Sequence, residues 1–190
     1  MTIEEVLREM RESDLAAVVR ELLSYQPKTG VLRWRHRNRQ WFRSDQECRR
    51  WNSRYAGTDA GSIKGTGHMM VKILSKSYLL HRIVWLYVYG QLPGTQIDHI
   101  NGRKTDNRIE NLRLADHTIN AQNKKSPNKN NKTGLLGVSL DGASGKYVAQ
   151  IQTGSKKQHL GYFSEPKQAH AAYIHAKKRK HQGFVPEEIR

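Results

Sequence analysis

Apolar residues recur at helical spacing in two long stretches of the chain. The first stretch, residues 2–24, predicts one or two helices. The second, at about 165–182, predicts a helix with small apolar side chains on one face. Between these stretches, the apolar run 81–90 ends at Gly90 and predicts a third helix.

Shorter apolar runs, bounded by glycine, proline and polar residues, predict strands. Residues 31–34 predict one short strand, and residues 68–80 predict a hairpin that turns at Ser75-Lys76. Residues 96–123 predict a strand, a loop, a second strand and a helix in that order. Helices and short strands mixed in this way indicate an α+β fold.

The same pattern divides the chain into four segments. The run KKSPNKNNKTG at 124–134 contains no apolar residue, which is typical of a flexible, basic linker. Before it we expect an N-terminal helix with a basic extension at 1–60 and a compact core at 61–123. After it, three strand signals precede the last helix, which predicts a small three-stranded sheet plus one helix at 135–185.

The net charge of the chain indicates the kind of partner that it binds. The chain has 33 Lys and Arg against 17 Asp and Glu, a formal net charge of +16. A charge of this size argues for a polyanionic partner and against an enzyme for small neutral metabolites. After the first helix, residues 98–123 are the one neutral block, and basic segments flank it on both sides. Such a block could be a reaction centre on a body that binds nucleic acid.

The cysteine content and the hydropathy of the chain indicate its cellular compartment. Cys48 is the single cysteine, which excludes a disulfide scaffold and a zinc site built from several thiolates. No apolar run approaches ~18 residues, and the first ten residues lack the apolar centre of a signal peptide. We therefore expect a cytoplasmic protein without a membrane span.

Candidate chemistry lies in the neutral block. If the two predicted strands pair and the following helix packs across them, Asp98, His99 and Asn120 converge. Asp98 and Asn120 offer the hard oxygen ligands that Mg²⁺ prefers. His99 has the residue type that accepts a proton from water near neutral pH, and Asn111 could hold either backbone or the imidazole. Spacing alone favours a structural role, because Asn-rich stretches commonly form turns and caps.

A family resemblance strengthens the chemical interpretation. H-R-I-V-W at 81–85 is followed by I-D-H-I-N-G-R-K-T-D-N-R-I-E-N-L-R-L at 97–114, and Asn120 stands nine residues after Asn111. Together with upstream Y-Q-P-K-T-G-V-L-R-W, this order of motifs resembles the HNH homing endonucleases of phages over about residues 24–123.

The resemblance implies a ββα-metal nuclease fold and a role for each motif residue. It implies that His99 is the general base, that Asp98 and Asn120 hold a divalent metal, Mg²⁺ or Mn²⁺, and that Asn111 takes the middle place of the motif. His117 and Asn123 are nearby alternatives to Asn120. We expect no structural zinc, and we interpret His81 as a packing or capping residue.

Basic and aromatic residues are mixed over 35–60 without a clear period. Arg33, Arg35 and Arg37 alternate with other residues, as do Arg39 and Arg43 after them. On a strand these arginines would share one face and could follow a phosphate backbone, although an ordinary solvated surface is the alternative.

The last segment resembles the ethylene-response-factor (APETALA-like) DNA-binding domain. The matching runs are G-V-S-L-D, S-G-K-Y-V-A-Q-I-Q and H-L-G-Y-F-S-E-P-K-Q-A-H-A-A-Y within 134–184. The resemblance implies a three-stranded sheet that enters the major groove. The candidate DNA contacts on it are Lys146, Gln150, Gln152, Lys157 and His159.

Two functions follow from these observations. The first is a metal-dependent DNA endonuclease that nicks or cuts duplex DNA as a monomer, encoded by a phage or mobile element and acting in the bacterial host cell. The alternative is a non-catalytic DNA-binding regulator on an HNH scaffold. The first is favoured because Asp98, His99, Asn111 and Asn120 are all present.

Overall fold

The computed structural model describes residues 12–181 and 183–184. The first part of the predicted helix 2–24 therefore lies outside the described residues. The fold is a mixed α/β one, built of small sheets and helices in two compact units. Unit 1 contains the described residues up to His99 together with Arg103–Leu114, and unit 2 contains Ile100–Gly102 and the described residues from Ala115 onward.

Unit 1 alternates helices with short hairpins. In chain order its elements are α1 (Glu12–Leu22), β1 (Leu23–Gln26), β2 (Val31–Trp34), a 3₁₀ turn (Arg39–Trp41), α2 (Asp45–Tyr55), β3 (Ser62–Ile63), β4 (Met69–Ile73), β5 (Lys76–Leu79), α3 (Leu80–Tyr89), β6 (Gln96–His99), a second 3₁₀ turn (Ile109–Asn111) and β7 (Leu112–Ala115), whose last residue belongs to unit 2. β1 pairs with β2, β4 lies between β3 and β5, and β6 pairs with β7.

The core of unit 1 forms where α1 and α3 pack together. Val19 and Leu22 of α1 are fully buried, as are Ile83 and Leu86 of α3. The predicted helix 81–90 is confirmed, and Gly90 ends it in the left-handed conformation that favours glycine. The predicted strand 31–34 is confirmed as well.

Two local predictions need correction. The hairpin of β4 and β5 turns at Leu74-Ser75, both with positive φ, one residue before the predicted turn. Residues 45–55 form α2, where no helix was predicted. Its start has a sequence signal of the S-x-x-E type: Ser44 Oγ accepts a hydrogen bond from the Glu47 amide at 3.2 Å.

The turn between β1 and β2 presses against the loop that precedes β7. Gly30 adopts φ +74°, and a Cβ built there would lie 2.4 Å from the Arg108 amide nitrogen. Beside it, the Tyr25 hydroxyl donates to the Asn107 carbonyl at 3.1 Å and accepts from the Ile109 amide at 2.8 Å. The first hairpin therefore fixes the backbone on both sides of Arg108.

Unit 2 is a three-stranded antiparallel sheet covered by one helix. Its elements are α4 (His117–Gln122), β8 (Val138–Leu140), β9 (Tyr147–Thr153), β10 (Lys156–Phe163) and α5 (Pro166–Lys180), with strand order β10-β9-β8. Ala149 and Ile151 of β9 pack against Ala169 and Tyr173 of α5. The three predicted strands and the last helix are confirmed in type and order.

The predicted flexible linker 124–134 is part of unit 2 in this structure. The Asn131 amide donates to the carbonyls of Leu135 and Val138, at 3.0 and 3.1 Å. Lys177, only 1% exposed, donates to the Lys124 carbonyl at 2.5 Å. Residues 124–134 thus pack as folded structure, and the division of the chain falls before them rather than within them.

No helix among residues 12–181 and 183–184 is both long and apolar enough to cross a membrane.

We expect Gly30→Ala to destabilise unit 1 more than Gly57→Ala does. Both glycines have positive φ, which costs a Cβ-bearing residue about 1–2 kcal/mol, but a Cβ at Gly57 meets nothing within 4 Å. Overlap at Gly30 adds an overpacking cost of about 1–3 kcal/mol.

Urea denaturation followed by tryptophan fluorescence tests this, because all four tryptophans lie in unit 1. Equal midpoints for the two variants would show that the close approach at Gly30 is not a constraint.

Candidate active site

Asp98 and His99 stand at the end of β6 and are both buried, at 7% and 4% exposure. β6 is short, and its partner β7 lies beside it. The strand therefore fixes the backbone of two adjacent polar residues that have little access to solvent. Buried polar groups of this kind need defined partners, because an unpaired one is costly.

Asp98 is paired with Arg113 of β7. The guanidinium donates from Nε at 3.0 Å and from Nη2 at 2.8 Å, both to Asp98 Oδ2. Sequence reasoning missed this pair, because nothing in the spacing of the two residues identifies them as neighbours. A carboxylate has two oxygens with about four acceptor sites, so an ion pair through Oδ2 does not exhaust the capacity of Asp98 to bind a cation.

Asn107 orients the imidazole of His99. His99 Nε2 lies 3.3 Å from Asn107 Oδ1, and the Asn107 amide nitrogen donates to the Thr105 carbonyl at 3.2 Å. Because the amide oxygen can only accept, Nε2 carries the proton in this bond, and the neutral ring has its lone pair on Nδ1. Asn107 was not among the predicted residues, although it lies in the quoted motif between Asp106 and Arg108.

The side chain of Asn111 contacts the backbone of the same loop. Its side-chain amide donates to the Asp106 carbonyl at 2.8 Å. The sequence left open whether Asn111 holds the backbone or the imidazole of His99. This contact is with the backbone, and Asn107 provides the contact with the imidazole.

Two further histidines lie beside His99. The ring centroid of His81, in the first turn of α3, is 5.1 Å from that of His99, and the ring of His68 is 6.0 Å away. His81 is 4% exposed and its Nδ1 is buried without a hydrogen-bond partner. No spacing in the sequence groups these three residues, and from the sequence alone we expect only a packing or capping role for His81.

Burial sets the protonation of this cluster. Desolvation lowers the pKa of His99, while the bond to Asn107 and the carboxylates of Asp98 and Asp106 oppose the shift. Desolvation lowers the pKa of His81 to about 3 and also lowers that of His68. The three rings are therefore neutral at pH 7, the state in which an imidazole accepts a proton or binds a metal.

The predicted third ligand lies in unit 2. Asn120 is an exposed residue of α4, as is His117, whereas Asn123 is buried and donates to the Ile100 carbonyl at 3.3 Å. Asp116 caps the helix by accepting from the Ile119 amide at 2.7 Å. The choice of Asn120 over its two alternatives stays a prediction from the sequence.

The arginines of 33–43 do not share one strand face. β2 ends at Trp34, and Arg33 on it pairs with Asp59 at 2.9 Å. The guanidinium of Arg37 lies over the Trp51 ring at 3.8 Å and near the Trp34 ring at 4.6 Å, and burial lowers its pKa to about 10. The expectation of a continuous basic stripe on a strand is therefore wrong, because Arg37 is used inside an aromatic cluster.

On the sheet of unit 2, the predicted DNA contacts lie on one face, where Gln152, Lys157 and His159 are exposed and Gln150 is half-buried. Gln152 is opposite Lys157 and Gln150 is opposite His159, so their side chains lie on the same side of the sheet. Lys146, just before β9, is also exposed. A register shift between His159 and Gly161 interrupts the alternation of β10 beyond this point.

Comparison with known proteins gives the class of this region. Residues 78–122 match the family model described as HNH endonuclease. This match covers α3, β6, the loop with Asn107, β7 and α4.

One curated relative is a phage protein. The chain is 43% identical over 60 residues to "Protein 3.8" of Escherichia phage T7. The match covers 31% of this chain and 49% of that protein, so the chain spans about half the length of the relative. No solved structure matches the chain.

We expect the pKa of His99, followed by NMR of the histidine rings in the presence of EDTA, to lie below the ordinary 6.5. Because the bond to Asn107 favours the protonated ring, Asn107→Ala should lower this pKa further. A pKa at or above 6.5 in the unaltered protein, or a higher one in the variant, would contradict the arrangement of this site.

Proposed function

We propose that this chain is a metal-dependent HNH endonuclease of the homing type, which hydrolyses phosphodiester bonds of duplex DNA. The observation that carries the proposal is the buried, neutral His99 beside Asp98, with its ring oriented by Asn107, inside the region that matches HNH endonucleases. The phage relative supports a phage or mobile-element origin, with activity in the cytoplasm of a bacterial host.

His99 acts as the general base in this proposal. With Nε2 donating to Asn107, its Nδ1 takes the proton of the water that attacks the scissile phosphorus. Burial favours this role, because it lowers the pKa of His99 and so favours the neutral ring, the form that accepts a proton. Asn107 is a positioning residue, and Asn111 supports the loop that carries it.

Asp98 and, from the sequence, Asn120 would hold the divalent cation, for which we propose Mg²⁺ with Mn²⁺ as a substitute. Both residues offer oxygen ligands, which suits a hard cation. When bound, this ion supplies charge neutralisation at the scissile phosphate and at the leaving 3′ oxygen. Arg113 holds the Asp98 carboxylate in place through two hydrogen bonds to Oδ2.

DNA binding is assigned to two surfaces. The exposed sheet face of unit 2, with Gln150, Gln152, Lys157 and His159, has the residue types that read bases and bind phosphate in the major groove. In unit 1, exposed Arg33 and Arg35 are proposed to bind phosphate. The contribution of Arg37 depends on release from its tryptophan neighbours.

Incubation of supercoiled plasmid carrying phage target DNA with the full chain and Mg²⁺ tests the activity. We expect nicked or linear products that disappear with EDTA. His99→Ala should lower the rate about 10²–10⁴-fold, the usual contribution of a general base, whereas His175→Ala, at an exposed histidine of α5, should leave it unchanged.

Undiminished cleavage by His99→Ala would refute the assignment of the base. Binding of target DNA without cleavage by the unaltered protein would favour the non-catalytic regulator instead.

The sheet face is tested by the salt dependence of DNA binding. Lys157→Ala should weaken binding and reduce the slope of log affinity against log salt by about one, because one phosphate contact is lost. Lys167→Ala removes the same charge from the exposed side of α5, which lies on the other side of the sheet. Equal slopes for the two variants would argue against the sheet face as the DNA surface.

A further inference from the structure

Three histidines from separate elements of unit 1 form a possible ligand set, of which the proposed hydrolysis uses only His99. His68 lies just before β4, His81 in the first turn of α3 and His99 at the end of β6. One ring nitrogen of each lies within 4.8 Å of the corresponding nitrogens of the other two. Among residues 12–181 and 183–184, no other group of three His, Cys, Asp or Glu side chains meets this condition.

These separations are close to those of a metal centre. Zinc binds imidazole nitrogen at about 2.0–2.1 Å in tetrahedral sites, which places two ligand nitrogens about 3.3 Å apart. The nitrogens of the cluster therefore need to close by about 1.5 Å at most. His68 is only partly buried, whereas His81 and His99 are buried in the interior, so His68 is the ring that would move most.

His81 gives an independent indication of a ligand. His81 is buried, at 4% exposure, and its Nδ1 has no hydrogen-bond partner. A buried acceptor or donor without a partner destabilises the folded protein. A cation bound through Nδ1 would satisfy this nitrogen, for which the described residues provide no partner.

The surroundings of His99 fit a metal ligand. Ligating histidines usually donate their other ring nitrogen to an oxygen that fixes ring orientation, and His99 does so from Nε2 to Asn107 at 3.3 Å. Asp98 and Asp106 add negative charge near this ring. Lys104 opposes them, but its ammonium group is directed to the Thr66 carbonyl at 2.8 Å.

We propose that His68, His81 and His99 bind a divalent transition-metal ion of the zinc class. Three neutral imidazoles suit zinc, cobalt, nickel or copper, whereas Mg²⁺ prefers oxygen ligands. The site is therefore chemically distinct from the one proposed at Asp98. It also has a functional consequence that rests on the proposed function: an ion at this site binds the base, so zinc inhibits Mg²⁺-dependent cleavage.

Binding is measured on the full chain with Zn²⁺ alone by calorimetry, and with Co²⁺ by the visible absorption of a tetrahedral ion. We expect one site per chain that excess Mg²⁺ does not displace. Loss of an outer-shell partner alone weakens metal binding about 10–100-fold, so removal of a ligand by His68→Ala should weaken it at least about tenfold. His175→Ala, which alters an exposed histidine of unit 2, should bind as the unaltered protein does.

His81→Gln provides a second variant, with circular dichroism and tryptophan fluorescence to verify that both variants fold. Absence of a saturable site in the unaltered protein would overturn the proposal. Folded His68→Ala and His81→Gln that bind the ion as tightly as the unaltered protein does would overturn it as well.

The link to activity is tested separately. Cleavage with saturating Mg²⁺ is titrated with Zn²⁺, and we expect inhibition at the concentration that fills the site, with the curve shifted at least about tenfold in His68→Ala. Unchanged cleavage at a filled site would overturn the inhibitory role while leaving the metal site intact. If the chain cleaves no DNA at all, the proposed function fails, and the binding measurement still decides the metal site.

Discussion

The candidate site depends on a contact between the first hairpin and the loop before β7. The Tyr25 hydroxyl bonds to backbone on both sides of Arg108, and Gly30 lies so close to the same backbone that no side chain fits. Asn107, fixed by this contact, then orients His99. The N-terminal hairpin, which contributes no proposed catalytic residue, thus determines the direction in which the imidazole presents its lone pair.

The count of 33 Lys and Arg residues overstates the number of cations that a nucleic acid would meet. Arg113 is paired with Asp98, Arg37 lies against two tryptophan rings, and Arg108 is paired with both Asp106 and Glu110. Lys177 is buried among Tyr173, Phe184 and a backbone carbonyl. Several cations therefore stabilise the fold, and the exposed ones define the surfaces that remain for phosphate.

Much of the fold could be predicted from local sequence patterns. Helix α3, strand β6 and the sheet of unit 2 each have an apolar period and clear end signals, and the structure confirms them. The histidine cluster could not be predicted this way, because His68, His81 and His99 come from three elements and share no spacing. α2 was missed for a different reason: its apolar face is short, and its Ser44-to-Glu47 capping signal lies in a run dominated by arginine. The pairing of Asp98 with Arg113 likewise depends on strand neighbours fifteen residues apart.

The reactivity of the buried Lys177 amine can be used to follow local opening of unit 2. Desolvation lowers its pKa to about 8, with Lys124 and Lys125 adding to the shift, so a substantial fraction of its amine is unprotonated at mildly alkaline pH. Its side chain is nevertheless shielded from solvent, at 1% exposure. An amine-selective acylating reagent can reach this nucleophile only when the packing around Lys177 opens. The rate at which Lys177 is acylated, located by peptide mass, would therefore measure how often this part of unit 2 opens.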